Sequence, residues 1–379
     1  MAKRRPNGDG LVRKRDDGRW EGRIVVGHKK DVSPIYRYVF ANTQKELLEK
    51  LHAHIETYRD AELTEDCKIS LGEWLDRWMN EYMIFTIRDN TLSSYNSMIK
   101  NYIKPNIGDR ALVFLTTADV QKMYNTVKKQ GRIRKHPLLG HQLSDSMIRS
   151  IHMMLHQALD AAVKQRLIVK NPTNGTTIPK NNYAPKQVLT DSQLDRFMNV
   201  VRQDKLWYDF FYTELMTGLR LGEICGLKWL DFNENSGRLK ISRTLHKKKG
   251  GGYTFGETKT DTGTRTIILP PSTAEFLLNR KKSSIGEWIF HNPIKPEDPI
   301  NPHAAYCKMK VLLKNAELPL IRIHDFRHSH ASLLANNNIN IQEIARRLGH
   351  TKIEMTWNTY SHLYPREEEK AIQVLNKIE

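Results

Sequence analysis

Residues 217–229 read TGLRLGEICGLKW, and this stretch largely decides how the C-terminal half of the chain is interpreted. Gly218 is suited to end one helix, because glycine readily adopts the left-handed conformation found at many helix C-termini. Arg220 would then stand at the start of the next helix, where backbone N–H groups favour an anion. Glu223 follows three residues later and can brace the guanidinium. The stretch therefore predicts two helices joined by a tight turn that presents an arginine to a negatively charged group.

A second cluster of basic residues spans residues 324–330, HDFRHSH. His324 and Arg327 are three residues apart, so on a helix they share one face and can both reach a single phosphate. Three histidines in seven residues also suggest a zinc-dependent enzyme. We disfavour that alternative because the HEXXH spacing is absent from this stretch and no nearby Cys or carboxylate set completes a ligand shell.

A third cluster is Leu348-Gly349-His350, ten residues before Tyr360. Gly349 is a suitable C-cap for a helix that begins near Asn340, and it would hold His350 at the helix end. Tyr360 lies in the sequence WNTYSH, residues 357–362. A single tyrosine is usually a half-buried packing residue, so Tyr360 gains meaning only together with the basic clusters.

A fourth candidate is Lys259, within residues 257–265, ETKTDTGTR. The Gly and Asp residues predict a hairpin turn between two strands, with Lys259 near its tip. A lysine there could deliver a proton to a site. As an ordinary surface lysine it would need no functional explanation.

The bulk composition sets wider limits. The chain has 379 residues, enough for more than one domain, and a net charge of +18 from 60 Lys and Arg against 42 Asp and Glu. Such a surplus favours a polyanionic partner, although a merely basic protein is the alternative. The three cysteines are far apart and indicate reduced thiols. The chain lacks a run of about 18 apolar residues and starts without the apolar stretch of a secretory signal. We therefore expect a cytoplasmic protein with no membrane partner.

The N-terminal region, residues 1–62, is predicted to form three strands, at residues 10–14, 19–26 and 35–40, and one helix. Thr43 and Glu46 have the spacing of a capping box at the start of that helix. Arginines on the strands could face DNA phosphates, but a solvated sheet face explains them equally well. The candidate DNA-binding residues here are Arg13, Arg19, Arg23 and Arg37.

The middle region, residues 63–182, is predicted to be helical. Its first helix carries an apolar stripe, and later helices are expected to begin at Thr91, Thr117 and Ser144. Lys100 and Lys104 are candidate DNA-binding residues, with a plain solvated surface as the alternative. The apolar stripe consists of Leu71, Trp74, Leu75, Trp78 and Tyr82.

A polar linker, residues 180–187, precedes the third region, residues 183–379. A helix is predicted to open at Leu189-Thr190-Asp191, and short strands at residues 238–244 and 265–269. Arg265, on the second of these strands, is a further candidate DNA contact.

The order of these clusters resembles the tyrosine recombinase family, in particular the integrases of phages and conjugative transposons. The resemblance is strong over residues 185–365 and rests on Arg220, Lys259, His324-x-x-Arg327, His350 and Tyr360. Bulky Trp357 is one departure from the family pattern. The resemblance implies a multidomain fold, mainly α with small β-sheets. Residues 1–62 would form an arm-site DNA-binding domain, 63–182 a helical core-binding domain, and 183–379 a mixed α/β catalytic domain.

The resemblance also implies a mechanism. Tyr360 would attack a DNA phosphodiester and form a 3′-phosphotyrosine, while Arg220 and Arg327 stabilise the charged transition state. His324 would accept the tyrosine proton or hold a phosphate oxygen, and His350 would support the same oxygens. Lys259 would protonate the leaving 5′-hydroxyl. The protein link conserves the ester energy and arginines supply the positive charge, so we expect no ATP, no metal and no other cofactor.

By the same resemblance, the chain would be the site-specific integrase of a mobile element, acting as a homotetramer on two synapsed DNA attachment sites. A directionality factor and a DNA-bending host protein are further expected partners. A C-terminal apolar stripe could pack on its own protomer or on a neighbour. Two alternatives remain open, a type IB topoisomerase-like enzyme and a non-catalytic DNA-binding regulator of the same fold. The stripe consists of Ala371, Ile372, Val374, Leu375 and Ile378.

Overall fold

The computed structural model describes residues 11–29, 32–58, 63–64, 68–137, 140–180, 189–248, 251–257 and 263–361. The chain divides into two compact units, Met1–Tyr183 and Ala184–Glu379. None of the helices in the described part of the chain has the length and hydropathy needed to span a bilayer. The further division of the first unit at residue 62 stays a prediction.

The first unit begins with the predicted three strands, β1 (Leu11–Lys14), β2 (Trp20–His28) and β3 (Pro34–Ala41). They form an antiparallel sheet in the order β1-β2-β3. The helix α1 (Gln44–Tyr58) packs on one face, and its Leu47 and Leu51 are buried against the sheet. The Thr43 hydroxyl accepts the Glu46 N–H at 3.2 Å, which confirms the hydroxyl half of the predicted capping box.

The remainder of the first unit is a helical bundle, as predicted. Thr116 and Ser144 cap its two long helices, with hydroxyls that accept the N–H groups of Asp119 and Met147. The helix expected to begin at Thr91 begins instead at Asp89. The elements are α2 (Leu71–Arg77), a π-helical segment (Trp78–Met83), α3 (Asp89–Met98), a second π-helical segment (Ile99–Ile103), α4 (Lys104–Ile107), a 3₁₀ turn (Leu112–Phe114), α5 (Thr117–Gln130) and α6 (Asp145–Lys164).

The first π-helical segment changes which residues of the predicted apolar stripe face the core. Leu71, Trp74, Leu75 and Trp78 are buried as expected, but Tyr82 is 37% exposed. Met79 and Met83 are buried instead. A π-helix bonds residue i to i+5, so the inward-facing positions shift relative to α-helical spacing. The wider turn therefore explains why a 3.6-residue periodicity fails at this point.

The second unit is mixed, with helices around two small antiparallel sheets. One sheet has the order β4-β5-β8 and the other pairs β6 with β7. The elements are α7 (Asp191–Val201), α8 (Lys205–Thr217), α9 (Leu221–Cys225), a 3₁₀ turn (Trp229–Asp231), β4 (Phe232–Asn233), β5 (Arg238–Ile241), β6 (Arg243–Lys247), β7 (Tyr253–Glu257), β8 (Arg265–Ile268), α10 (Pro271–Lys282), α11 (Pro302–Asn315), α12 (His324–Asn336), α13 (Ile341–Leu348) and α14 (Ile353–Tyr360).

The hairpin predicted around Lys259 is wrong. The strands on either side of that residue, β7 and β8, pair with different partners and lie in different sheets. The hairpin turn lies earlier in the chain, where the Lys248 N–H donates to the Gly252 carbonyl at 3.1 Å. Gly251 and Gly252 have φ values of 109° and 73°, which glycine adopts without strain. The hairpin of this sheet therefore joins β6 to β7, before Lys259, which itself lies outside the described residues.

Candidate active site

Arg220 stands where the sequence predicts it, between two helices. Helix α8 ends at Gly218 in the left-handed conformation, with φ of 64°, and Arg220 is the N-cap of α9. Its Nη1 donates to Glu223 Oε1 at 2.6 Å, and its backbone N–H donates to Glu223 Oε2 at 3.0 Å. Nη2 also donates to the Gly349 carbonyl at 3.0 Å. The predicted brace by Glu223 is thus confirmed.

Glu223 also binds a second arginine. Arg265 Nη2 donates to Glu223 Oε2 at 2.9 Å, and the Glu223 side chain is only 1% exposed. Burial alone would raise the pKa of the Glu223 carboxyl, but Arg265 and Arg220 together hold it below its usual range. Arg265 further donates to the carbonyls of Arg347 and Gly263, at 2.7 and 3.1 Å. Its described contacts are therefore internal, and its role in DNA contact stays a prediction.

Arg327 lies in the interior, on α12, with 1% exposure. It donates to the carbonyls of Gly218 and Leu348, at 2.9 and 2.6 Å. Those carbonyls lie at the C-terminal ends of α8 and α13. Burial, with the charge of Arg220, lowers the pKa of Arg327 to about 9. The guanidinium thus ties two helix ends together beside Arg220.

His350 follows the left-handed Gly349 that ends α13, as predicted. Its Nδ1 is 2.7 Å from the Thr356 hydroxyl. Burial, with the charges of Arg327 and Arg220, lowers the pKa of His350 to about 3. The imidazole is therefore neutral at physiological pH. Thr356 was not singled out in the sequence, although it lies four residues before Tyr360 and so on the same helix face.

Tyr360 ends helix α14, and its side chain is buried at 2% exposure. Its hydroxyl forms a short hydrogen bond with Nδ1 of His328, whose ring centroid lies 5.9 Å from the phenol ring. Burial raises the pKa of Tyr360, while the charge of Arg327 acts to lower it. The ring of His328 also meets the ring of His324 edge-on, with centroids 5.0 Å apart. His328 is a site residue that the sequence reasoning missed.

Profile comparisons place the chain among known proteins. Residues 187–367 match the model of the phage integrase family, and residues 70–128 match the model of the phage integrase N-terminal SAM-like domain. The chain belongs to the phage integrase family of tyrosine recombinases. Its fold and its assignment as a DNA strand-transferring enzyme agree with that membership.

Similar recombinases cover nearly the whole chain. A tyrosine recombinase XerC-like protein of Caldanaerobacter subterraneus subsp. tengcongensis is 22% identical, over 94% of this chain and 95% of its own. The ICEBs1 integrase of Bacillus subtilis is 24% identical, over 97% of this chain and 99% of its own. The solved Tn1549 transposon integrase in complex with a circular intermediate DNA has a TM-score of 0.69 at 20% identity, covering 82% of this chain and 100% of its own.

The structure brings most of the predicted catalytic residues of this recombinase together. Arg220 and Arg327 both donate to carbonyls at the C-terminal end of α13, those of Gly349 and Leu348, and the charge of Arg327 reaches the Tyr360 phenol. His324 contacts His328, and His350 lies within reach of the charges of both arginines. Lys259 lies outside the described residues. The catalytic roles themselves stay predictions.

The histidines of residues 324–330 do not converge on one point. His328 Nδ1 contacts Tyr360, whereas His330 Nδ1 contacts the Leu215 carbonyl at 2.8 Å. Burial lowers the pKa of His330 to about 4, with the charge of Arg347 adding to the effect. His330 is therefore a neutral residue of the interior. Trp357, the departure from the family pattern, is 52% exposed, whereas Tyr360 is buried.

The predicted DNA-binding arginines of the N-terminal sheet occupy different environments. Arg13 pairs with buried Glu21 at 3.0 Å, Arg19 pairs with Asp17 at 2.7 Å, and Arg23 lies 4.5 Å from the Tyr36 ring centroid. Arg37 instead donates to the Tyr58 hydroxyl at the end of α1 and to the Val113 carbonyl in the bundle. Arg37 thus contributes to packing inside the first unit.

The face of β3 opposite Arg37 carries exposed aromatic rings that were not singled out in the sequence. Tyr36, Tyr38 and Phe40 are 37%, 46% and 45% exposed, on alternate residues of the strand. The aromatic residues recur at every second position of residues 36–40, and this alternation could have predicted an aromatic face of the strand. In the bundle, Lys100 is exposed, and Lys104 pairs with Asp76 at 2.6 Å.

Proposed function

We propose that this chain is the site-specific integrase of a mobile element, which cuts and rejoins DNA through a 3′-phosphotyrosine at Tyr360. The observation that carries the proposal is the position of the Tyr360 hydroxyl, hydrogen-bonded to His328 and within the field of Arg327. A phenol is a weak nucleophile at neutral pH because its pKa is about 10. Attack by Tyr360 therefore needs one group that accepts the phenolic proton and another that stabilises the transition state. Candidates for both, His328 and Arg327, lie around the hydroxyl.

The two arginines supply the transition-state stabilisation. A guanidinium has five N–H donors in a rigid fork that suits phosphate oxygens. Carbonyls at the helix ends fix the orientation of Arg327, and Glu223 fixes that of Arg220. The Arg220 side chain is 33% exposed, so a DNA phosphate can reach it from solvent. Removing either guanidinium should cost about 3–4 kcal/mol of transition-state stabilisation, a factor of roughly 10² to 10³ in rate.

His350 completes the group that would hold the phosphate. Because the imidazole is neutral, only one ring nitrogen carries a proton. A Thr356 hydroxyl that donates to Nδ1 leaves that proton on Nε2, which can then donate to a non-bridging phosphate oxygen. The low pKa of His350 thus supports a role as a hydrogen-bond donor. Lys259, the proposed proton donor to the leaving 5′-hydroxyl, follows β7 in the sequence.

Recombination also needs several DNA-binding surfaces and several copies of the chain. One solved relative is a lambda integrase tetramer bound to a Holliday junction, with a TM-score of 0.59 at 19% identity. We propose that four copies of this chain likewise act on two duplexes. We further propose that the N-terminal sheet binds DNA, with Arg23 and the exposed aromatic rings of β3 at its surface. A directionality factor and a DNA-bending protein remain proposed partners.

A nicked suicide DNA substrate tests the proposal. We expect the wild type to form a covalent protein–DNA adduct that survives denaturation, forms equally well with a metal chelator, and supports strand exchange between two plasmids. Tyr360→Phe should bind DNA without forming the adduct. Tyr306→Phe, on helix α11, is the matched control and should behave as wild type. An adduct with Tyr360→Phe would move the nucleophile elsewhere, and Tyr364 would be the next candidate.

A further inference from the structure

Helix α12 presents more to the active site than the two residues singled out in the sequence. His324, Arg327 and His328 are spaced three and four residues apart on this helix, so their side chains share one side. His328 is 6% exposed and Tyr360 is 2% exposed. The hydrogen bond between His328 Nδ1 and the Tyr360 hydroxyl therefore forms in a site with little access for water.

The other two histidines are less suited to take the phenolic proton. His350 has a pKa of about 3 and its Nδ1 contacts Thr356, so it is a weak base. His324 meets the ring of His328 edge-on at 5.0 Å between centroids. It is His328 whose nitrogen contacts the reacting oxygen atom. A general base must come within hydrogen-bond reach of the proton that it abstracts, directly or through one water molecule, and His328 already meets this condition.

We propose that His328 is the general base of the cleavage step and accepts the Tyr360 proton at Nδ1. The inference rests on the proposed function, and it moves the role of proton acceptor from His324 to His328. For this role Nδ1 must be unprotonated before attack, so the resting ring carries its proton on Nε2.

The step balances in atoms and charge. The phenolic oxygen forms a bond to phosphorus, and the bond between phosphorus and the 5′-oxygen breaks. The phenolic proton moves to His328 Nδ1, which becomes an imidazolium, while the proposed acid Lys259 protonates the leaving 5′-oxygen. On rejoining, the incoming 5′-hydroxyl returns its proton to the acid. The departing phenolate then recovers its proton from His328.

The first test is the single-turnover rate of adduct formation by His328→Asn and His328→Ala. The Asn carbonyl oxygen stands close to the position of Nδ1 and can still accept a hydrogen bond from the phenol, but it cannot take up the proton. We expect both variants to bind DNA as the wild type does and to cleave roughly 10²- to 10⁴-fold more slowly. His328→Gln provides a further variant if either of these folds poorly.

The second test changes the acidity of the nucleophile. A ring-fluorinated tyrosine introduced at position 360 has a more acidic phenol and depends less on a base. We expect the loss caused by His328→Asn to become at least roughly tenfold smaller with this nucleophile, because base catalysis matters less as the acid strengthens. His330→Asn is the matched control, since His330 is buried on the same helix but bonds to a backbone carbonyl. Any loss in that variant should be the same with both nucleophiles.

Three results would overturn the inference while leaving the proposed function intact. The first is cleavage by His328→Asn at the wild-type rate. The second is cleavage by His328→Asn that is faster than wild type, which would identify His328 as a restraint on Tyr360. The third is a loss of rate in His328→Asn that fluorination of Tyr360 does not reduce. Failure of the wild type to form any adduct would instead refute the proposed function, and the role of His328 with it.

Discussion

Replacing Glu223 by Gln should weaken both the fold and the active site. Glu223 accepts three hydrogen bonds, two from Arg220 and one from Arg265, and it is 1% exposed. Gln keeps the shape but removes the charge, and it turns one acceptor into an amide donor that faces a guanidinium. Removing one partner of a buried ion pair typically costs about 3–5 kcal/mol. We expect a loss of that size in the free energy of unfolding, and slower cleavage because Arg220 loses its brace.

Thermal and urea unfolding of the full chain measure the effect. For a unit of this size, each kcal/mol shifts the melting temperature by about 2–4 °C, so the variant should melt roughly 6–20 °C lower. The matched control is Glu287→Gln. Glu287 pairs with Lys228 at 2.8 Å but is 56% exposed. Exposed pairs contribute at most about 1 kcal/mol, so this control should unfold close to wild type.

The contribution of Glu223 to the free energy of unfolding should change with pH in a definite direction. The folded pKa of Glu223 lies below its ordinary value. Its contribution is therefore fully present above the unfolded pKa and is lost as the pH falls through the folded pKa. The stability gap between wild type and Glu223→Gln should accordingly narrow in acid. Equal stability of the two proteins at neutral pH, or a gap that widens in acid, would refute the reasoning.

Two further substitutions test other features of the second unit. Glu214 is buried, its pKa is raised well above the ordinary value by burial, and neither carboxyl oxygen has a hydrogen-bond partner among the described residues. Its stabilising effect is present at low pH and is lost as the pH rises through the folded pKa. In unfolding measurements at alkaline pH, the free energy of unfolding of Glu214→Gln should therefore rise relative to that of the wild type. A stability difference that is the same at all pH values would contradict this. Gly349→Ala places a side chain at φ of 67°, 2.9 Å from Arg265, whereas Gly237→Ala meets only Ala274 at 3.8 Å with φ of 60°. The left-handed backbone costs each variant about 1–2 kcal/mol. Because only Gly349→Ala also crowds Arg265, calorimetry should show a larger loss of stability for it than for Gly237→Ala. Equal losses would show that the contact with Arg265 adds nothing.

Local signals in the sequence predicted the fold well where one residue fixes one helix end. Ser144 and Thr190 cap their helices, and Gly218 and Gly349 end theirs, all at the predicted residues. The failures come from backbone features that the pattern does not encode. The π-helical turn exposes Tyr82, which a periodicity of 3.6 places in the core.

The same distinction holds for the candidate site. The brace between Arg220 and Glu223 spans three residues and could be predicted from their spacing. Arg265 lies 42 residues from Glu223, and His328 lies 32 residues from Tyr360, so both contacts depend on tertiary packing. Nothing in the local pattern distinguishes His328 from its neighbours His324 and His330. The candidate nucleophile could be proposed from the order of motifs, but its hydrogen-bond partner could not.

The most direct test is to digest the wild-type protein–DNA adduct and identify by mass spectrometry the peptide that remains bonded to DNA. The account predicts a single peptide in which the oxygen of Tyr360 carries the 3′-phosphate of the cleaved strand. A phosphate bonded to another side chain, or a strand cut that leaves no protein attached, would contradict it.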